Sequence, residues 1–120
     1  MKIRVLYGID YLNPELWEEY PNMIDSIIEW NYPVLPREGE TVDNFECFIS
    51  YAVKKDLSKR TVDEFFIEGY FNPQYYSKED QKKISVFDSL SEITCKIDSI
   101  SWQFGEDGVM PCIHISPKNG

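Results

Sequence analysis

The chain has few of the residues on which catalytic and metal sites depend. Its 120 residues include one histidine and three widely spaced cysteines. Nucleophilic catalysis by serine or cysteine needs an imidazole to move the proton, so it would have to use His114, which shares a strand face with Cys112. Cys47, Cys95 and Cys112 show neither Cys-x-x-Cys spacing nor a disulfide framework. We therefore expect free thiols, no metal, no cofactor, no catalytic residues and a protein that is not an enzyme.

Long apolar runs are also missing, and we expect no secretory leader. The longest unbroken apolar stretches span only a few residues, which is too short to cross a membrane. Lys2 and Arg4 stand near the amino terminus, but no apolar segment follows them, which argues against a signal peptide. No glycine-rich phosphate loop, linker or repeat interrupts the chain. These features predict one domain over residues 1–120, located in the cytoplasm and without membrane contact.

Negative charge is what the chain has in excess. The 21 acidic residues outnumber the 12 basic ones and give a net charge of −9, which repels phosphate backbones and disfavours direct nucleic-acid binding. The whole imbalance lies between residues 10 and 46, where ten acidic residues face one basic residue, Arg37, while the remaining chain carries eleven residues of each sign. The ten are Asp10, Glu15, Glu18, Glu19, Asp25, Glu29, Glu38, Glu40, Asp43 and Glu46. A solvated face that aids solubility is the simplest interpretation, and a docking surface is the functional one.

Three segments in the first quarter of the chain predict secondary structure. Lys2–Gly8 alternates weakly between apolar and polar residues, which indicates a strand. Asn13 and Pro14 are typical of a helix start, with Asn as the N-cap, and this helix must end before Pro21. Met23–Trp30 fits a helix by its spacing and a strand by its composition, so both alternatives stay open.

The middle of the chain contains the clearest alternation. Apolar residues occupy every second position from Phe45 to Val53, which predicts a strand, and Lys54–Arg60 then reads as a polar turn. Thr61–Phe71 is predicted as a strand because of its aromatic content, although its first four residues also fit the capping box of a helix. Ser77–Lys83 begins with a capping serine and predicts a short surface helix.

The last third predicts a bulged hairpin. Alternate apolar residues in Ile93–Ile97 change phase before Ile100–Phe104, which is what a β-bulge at Asp98–Ser99 produces. Gly105–Gly108 forms the turn, and Val109–Ser116 returns as the second arm.

These segments together predict the fold class. Pro111 has no amide hydrogen to donate, so the returning arm should lie at a sheet edge near that residue. We expect an α+β fold with a mainly antiparallel sheet of about five strands, partly barrel-like, and one or two short helices.

Two blocks of sequence resemble a known group of proteins. Leu35–Val42 reads LPREGETV, and the carboxyl-terminal part reads KIDSISWQF followed by GVMPCIHI. This pattern resembles small uncharacterised proteins from gut anaerobes of the Bacteroides type, which have a Pro-Arg-x-Gly-Glu-x-Val block and a closing hairpin. The resemblance implies a partly closed, SH3-like β-barrel, and it implies no activity.

Three classes of function are compatible with these patterns. The leading hypothesis is a protein-interaction domain whose acidic, aromatic face binds a basic protein. The residues expected on that face are Glu15, Trp17, Glu18, Glu19, Tyr20, Glu38 and Glu40. The alternatives are an aromatic-lined pocket with a carboxylate pair that binds or hydrolyses a small molecule or sugar, and an acidic inhibitor of phage or mobile-element origin that mimics DNA.

Two further expectations concern apolar surface. The aromatic cluster Tyr70–Tyr76 should pack a loop onto the sheet rather than stack bases, because acidic residues interrupt the neighbouring lysines. A subunit with no independent role would expose an apolar strip and form a dimer.

Overall fold

A computed structural model describes residues 1–9, 11–16, 18–20, 23–106 and 108–118. These residues contain the strands β1 (Lys2–Gly8), β2 (Met23–Glu29), β3 (Thr41–Val42), β4 (Cys95–Gly105) and β5 (Gly108–Pro117). They also contain the helices α1 (Tyr51–Lys59), α2 (Val62–Phe65), α3 (Lys78–Gln81) and α4 (Val86–Ser91), with 3-10 turns at Pro14–Leu16 and Phe45–Phe48.

The five strands form one mixed sheet in the order β2-β1-β5-β4-β3, which curls into a half-barrel. β1 pairs antiparallel with β2, and β4 pairs antiparallel with both β3 and β5. β1 and β5 run parallel, from the pair Arg4–Cys112 to the pair Tyr7–Ile115. The predicted α+β class and strand number are confirmed, but the sheet is mixed because its two terminal strands meet side by side. Local turn signals carry no information about such a pairing.

Met23–Glu29, for which the sequence left helix and strand open, is the strand β2. Its side chains alternate between buried and exposed, with Ile24, Ser26 and Ile28 buried and Asp25 and Ile27 exposed. A period of two is the signature of a strand with one covered face, and the isoleucines favour that conformation.

The predicted strand at Phe45–Val53 is wrong, and so is the turn predicted after it. The segment forms the 3-10 turn Phe45–Phe48 and then enters α1. The Asn44 side chain accepts a hydrogen bond from the Glu46 amide, and the Ser50 hydroxyl accepts one from Val53 at 3.3 Å. In a strand these two amides would have to bond a neighbouring strand. Here the Asn44 and Ser50 side chains accept their hydrogen bonds, which stabilises short helical turns in place of the strand.

A helix also replaces the predicted strand at Thr61–Phe71, so the capping-box alternative was the better one at its start. Thr61 is the N-cap of α2, although its hydroxyl contacts the Asp63 carboxylate and not a backbone amide. Phe65 and Phe66 are buried at the end of this helix.

The remaining short helices begin at capping serines. Ser77 accepts a hydrogen bond from Asp80 at the start of α3, as predicted, and Ser85 accepts one from Asp88 at the start of α4. Strands, turns or no regular structure were predicted where α1, α2 and α4 lie. The described residues therefore contain four α-helices, whereas one or two were expected.

The hairpin of β4 and β5 agrees with the prediction. Its register shifts between Ile97 and Ser99, where the bulge was expected. β5 is an inner strand where β1 pairs with it, from Cys112 to Ile115. Pro111 lies just before that stretch, which agrees with a local edge at this residue.

One hydrophobic core joins the helices to a single face of the sheet. Tyr7 of β1 meets Phe45 edge-on, with ring centroids 4.8 Å apart. Leu57 of α1 and Val86 of α4 are fully buried in the same cluster. The helices therefore gain stability mainly from packing their apolar side chains, since each is too short to be stable alone.

The Ser50 cap provides a test of the corrected segment. Replacing Ser50 by Ala should lower the free energy of unfolding by about 1 kcal/mol, because the Val53 amide loses its acceptor. Ser58→Ala is the matched control, since the Ser58 hydroxyl bonds a carbonyl within α1 and its loss should change stability by less than about 0.5 kcal/mol. Urea unfolding measures both values. Equal effects of the two changes would contradict the capped helix.

Candidate functional site

The first group of predicted partner-binding residues lies against α2. The Asn13 backbone amide donates to the Phe65 carbonyl at 2.8 Å, and its side-chain amide donates to the Glu64 carbonyl at 3.1 Å. The Asn13 side-chain oxygen accepts from the Glu15 amide at 3.1 Å, which confirms the predicted cap. Glu15 and Glu18 are exposed beside this anchored turn. Trp17 lies outside the described residues.

Two members of that group are engaged within the chain. Arg60, which follows α1, forms an ion pair with Glu19 and lies over the Tyr20 ring at 5.4 Å. Tyr20 also meets the Phe65 ring edge-on at 5.5 Å. Their side chains therefore tie the turn to the core, and a partner would have to compete for them.

The second group lies beside β4, next to the edge strand β3 of the sheet. The Gly39 amide donates to the Ile97 carbonyl at 2.8 Å, and the Ile97 amide donates to the Glu40 carbonyl at 2.9 Å. Gly39 has a φ of +88°, a conformation that favours glycine in this turn. Glu38 and Glu40 are thus held by β4, whereas Glu15 and Glu19 are held by α2 and Arg60. The predicted residues occupy two anchored turns on different elements.

Cations from outside the acidic segment neutralise several of its carboxylates. Asp25 pairs with Arg4 at 2.5 Å, Glu29 pairs with the amino terminus at 2.8 Å, and Glu46 pairs with Lys54. The bond to the amino terminus lowers the pKa of Glu29. Each exposed pair adds little to stability, but it removes local charge from the surface. This pairing weakens the hypothesis of an acidic decoy, which needs an array of free carboxylates.

A groove of about 550 Å³ lies between the Asn13 turn, α2, the following loop and α3. Val62 and Phe66, both buried, lie at its base, and Ile67 and Phe71 add apolar surface. The complete lining is Asn13, Pro14, Val62, Asp63, Phe66, Ile67, Glu68, Gly69, Phe71, Pro73, Lys78, Gln81 and Lys82. An apolar base with a few polar groups at the margin is typical of a binding site.

Aromatic rings pack against two residues of the groove lining, Phe66 and Phe71. Phe66 and Tyr70 are parallel with centroids 4.3 Å apart, and Phe71 meets Tyr70 edge-on at 5.0 Å. Phe71 in turn meets Tyr76 at 5.3 Å, which connects the loop to the start of α3. Tyr70 and Phe71 pack against the core as expected, whereas Tyr75 and Tyr76 are exposed.

The margin of the groove carries both signs of charge. Asp63 and Glu68 lie toward α2 and its loop, and Lys78 and Lys82 belong to or follow α3. Lys78 lies 3.7 Å from a Glu68 oxygen, and both side chains are more than four-fifths exposed. Such a pair is loose and can exchange partners at low cost.

Sequence reasoning missed the groove because it assigned a strand to its residues. The available signal was the apolar series Phe66, Ile67 and Phe71 around Gly69, whose φ of +90° turns the chain. In a strand, successive side chains would point to opposite faces of the sheet. In the turn that follows α2, Phe66, Ile67 and Phe71 instead line the same groove.

Cys112 and His114 lie together on the sheet face that points away from the core. The Cys112 sulfur is 3.9 Å from His114 Nε2. Arg4 reaches across this face, donating to Asp25 at 2.9 Å and to Gln103 at 3.3 Å. Burial raises the pKa of the Cys112 thiol, and the nearby Arg4 offsets this only in part. The thiol is therefore protonated at neutral pH, which is the unreactive form.

The described part of the chain contains no group of three or more His, Cys, Asp or Glu side chains that could hold a metal ion. None of its helices is long and apolar enough to cross a membrane. Comparison with protein-family models, curated proteins and solved structures finds no match to this chain. The resemblance carried by Leu35–Val42 therefore stays a prediction.

Thiol labelling tests the environment of Cys112. Iodoacetamide at neutral pH should modify exposed Cys47 about 100-fold or more faster than Cys112, because burial keeps the latter covered and protonated. Mass spectrometry of tryptic peptides measures both rates, and the urea-unfolded chain is the control in which they should converge. Faster labelling of Cys112 than of Cys47 in the folded chain would instead indicate an activated Cys–His pair.

Proposed function

We propose that this chain is a non-enzymatic protein-interaction domain whose groove binds an extended, basic segment of a partner protein. The groove is the observation that carries the proposal. It combines about 550 Å³ of space and an apolar base with two carboxylates, Asp63 and Glu68, at its margin. An apolar side chain of the partner would fill the base, and flanking lysine or arginine residues would meet the carboxylates.

The overall charge supports a basic partner. The net charge of −9 attracts cationic segments over several ångströms and speeds their encounter. Glu15 lies one residue beyond Pro14 of the groove lining, so the exposed acidic turn continues its margin. A basic partner would thus contact the Glu15 turn with its cations, as the sequence predicts, and would place its apolar side chain in the groove.

The loose pair of Lys78 and Glu68 explains how a cationic segment enters a margin that already contains lysines. An incoming lysine or arginine can replace Lys78 beside Glu68, and Lys78 then returns to water at little cost, since its side chain is 82% exposed. Binding of this kind exchanges one exposed ion pair for another, and the apolar contact supplies most of the affinity.

Selection from a random-peptide phage library on the immobilised chain tests the proposal. The enriched peptides should combine lysine or arginine with an aromatic or aliphatic residue. Glu68→Lys should weaken the best peptide by about 10-fold, because an exposed attraction becomes a repulsion.

Glu38→Lys is the matched control, since it changes the net charge equally but lies in the turn held by β4. It should leave the affinity within about twofold of the original, because Glu38 is not among the residues that line the groove and salt weakens the field of more distant charges. Selection of acidic peptides, absence of enrichment, or a greater loss in Glu38→Lys than in Glu68→Lys would each overturn the proposal.

A second candidate is a carbohydrate or other small neutral ligand, favoured by the rings of Phe66 and Phe71 beside two carboxylates. The two candidates differ in their response to salt. The affinity for each member of an oligosaccharide panel can be measured from NMR chemical-shift changes of residues 62–82. It should not change between 50 and 500 mM NaCl, whereas the affinity for the basic peptide should fall. Shifts from neutral oligosaccharides, with no enrichment of basic peptides, would favour the second candidate.

A further inference from the structure

The hydroxyl at the start of α2 is used differently from those at the other helix starts. Among the described residues, α1, α3 and α4 each follow a serine whose hydroxyl accepts a hydrogen bond from a backbone amide of the first turn. Thr61 precedes α2, and its side chain makes no such bond. It donates instead to the Asp63 carboxylate. α2 thus forgoes the stabilisation of a side-chain cap, and the hydroxyl holds a carboxylate in its place.

The backbone around Thr61 is fixed by contacts on both sides. Thr61 forms an isolated β-bridge with Ser85, the residue that precedes α4. The next amide, that of Val62, donates to the Ile84 carbonyl at 3.0 Å, and the Thr61 carbonyl accepts from the Phe65 amide at 3.2 Å. Because a β-branched side chain also has restricted χ1 rotamers, the Thr61 hydroxyl occupies a fixed position.

The two carboxylates at the margin of the groove are therefore held differently. Asp63 is bonded to the fixed Thr61 hydroxyl through one of its oxygens. A carboxylate has about four acceptor sites, so Asp63 can still receive a cation. Glu68 is 91% exposed, and its ion-pair partner Lys78 lies 3.7 Å away. A cation that binds Glu68 must order its side chain, whereas Asp63 is already ordered, which lowers the entropic cost of binding.

We propose that Thr61 is a positioning residue whose hydroxyl orients the Asp63 carboxylate to receive a cation of the bound segment. This inference rests on the proposed function, since the groove must bind a cationic segment. Asp63 lines the groove and Thr61 does not, so Thr61 acts through Asp63. The fixed carboxylate sets the position of one cation of the partner relative to the apolar base of the groove.

NMR couplings of the chain without peptide test the first step. Three-bond couplings to the Asp63 β-protons report its χ1 rotamer and should indicate one dominant rotamer in the unaltered chain. Thr61→Val removes the hydroxyl and should cause rotamer averaging at Asp63. Glu68 is the reference, since its couplings should be averaged in both proteins. Averaged couplings of Asp63 in the unaltered chain would overturn the inference.

Affinities for the best basic peptide test the second step. Thr61→Val should weaken binding about threefold, because the cation must then order Asp63 itself. Thr61→Ser keeps the hydroxyl and should retain the affinity within about 1.5-fold. Circular dichroism and urea unfolding of both variants should stay close to those of the unaltered chain, since the hydroxyl caps no backbone amide.

Thr94→Val is the matched control. The Thr94 hydroxyl also donates to a carboxylate, that of Asp43 at 3.3 Å, but neither residue lines the groove. This change removes the same kind of contact elsewhere and should leave the affinity within about 1.5-fold of the original.

A double-mutant cycle separates positioning from a structural role. Asp63→Asn should weaken the peptide about fivefold, because the carboxylate charge is lost. Thr61→Val in that background should weaken it no further, since no charge remains for the hydroxyl to orient. A structural effect on the groove would instead persist in full.

The outcomes distinguish this inference from the proposed function. If no basic peptide binds the unaltered chain, the proposed function fails and the role of Thr61 fails with it. If a peptide binds and depends on Glu68, the groove proposal stands. The positioning role alone is then overturned when Thr61→Val weakens the peptide no more than Thr94→Val, or weakens it equally in the Asp63→Asn background.

Discussion

The parallel pairing of β1 with β5 is the contact on which the rest of the structure depends. β5 lies at the centre of the order β2-β1-β5-β4-β3 and joins the half of the sheet built from β1 and β2 to the half built from β3 and β4. On the core side, Ile113 and Ile115 of β5 lie beside Val5 and Tyr7 of β1, all of them buried. The helices pack on this face, so the core and the groove that borders it require the central strand to be in place.

The elements that could be predicted from the sequence were those specified by neighbouring residues. β1, the hairpin, its bulge and the capping of Ser77 all depend on alternation or caps within a few positions. The strand predicted at Phe45–Val53 failed because Phe45 and Ile49 are four positions apart, a spacing that fits a helical turn as well as a strand. The caps at Asn44 and Ser50 then decide the outcome. The parallel pair could not be predicted, since its partners are more than a hundred positions apart.

The candidate site shows the same division between local and distant information. The sequence located the acidic excess correctly along the chain, but charge counted along a chain does not measure charge on a surface. Arg4, Lys54 and Arg60 come from other elements and neutralise Asp25, Glu46 and Glu19. The groove needs the Asn13 turn, α2 and α3 to meet, and no spacing within one segment reports such a meeting. The groove is therefore a product of tertiary contacts between these elements.

The direction of the central pair has a mechanical consequence. Because β1 and β5 are parallel, the start of β1 at Lys2 and the end of β5 at Pro117 lie at opposite ends of the sheet. Tension applied through these two ends would pull the strands past each other along their length. The backbone hydrogen bonds of the pair would then carry the load together and would have to break in a single event, whereas a perpendicular pull opens such bonds one after another. The protein should consequently resist stretching along this axis more strongly than its modest size suggests.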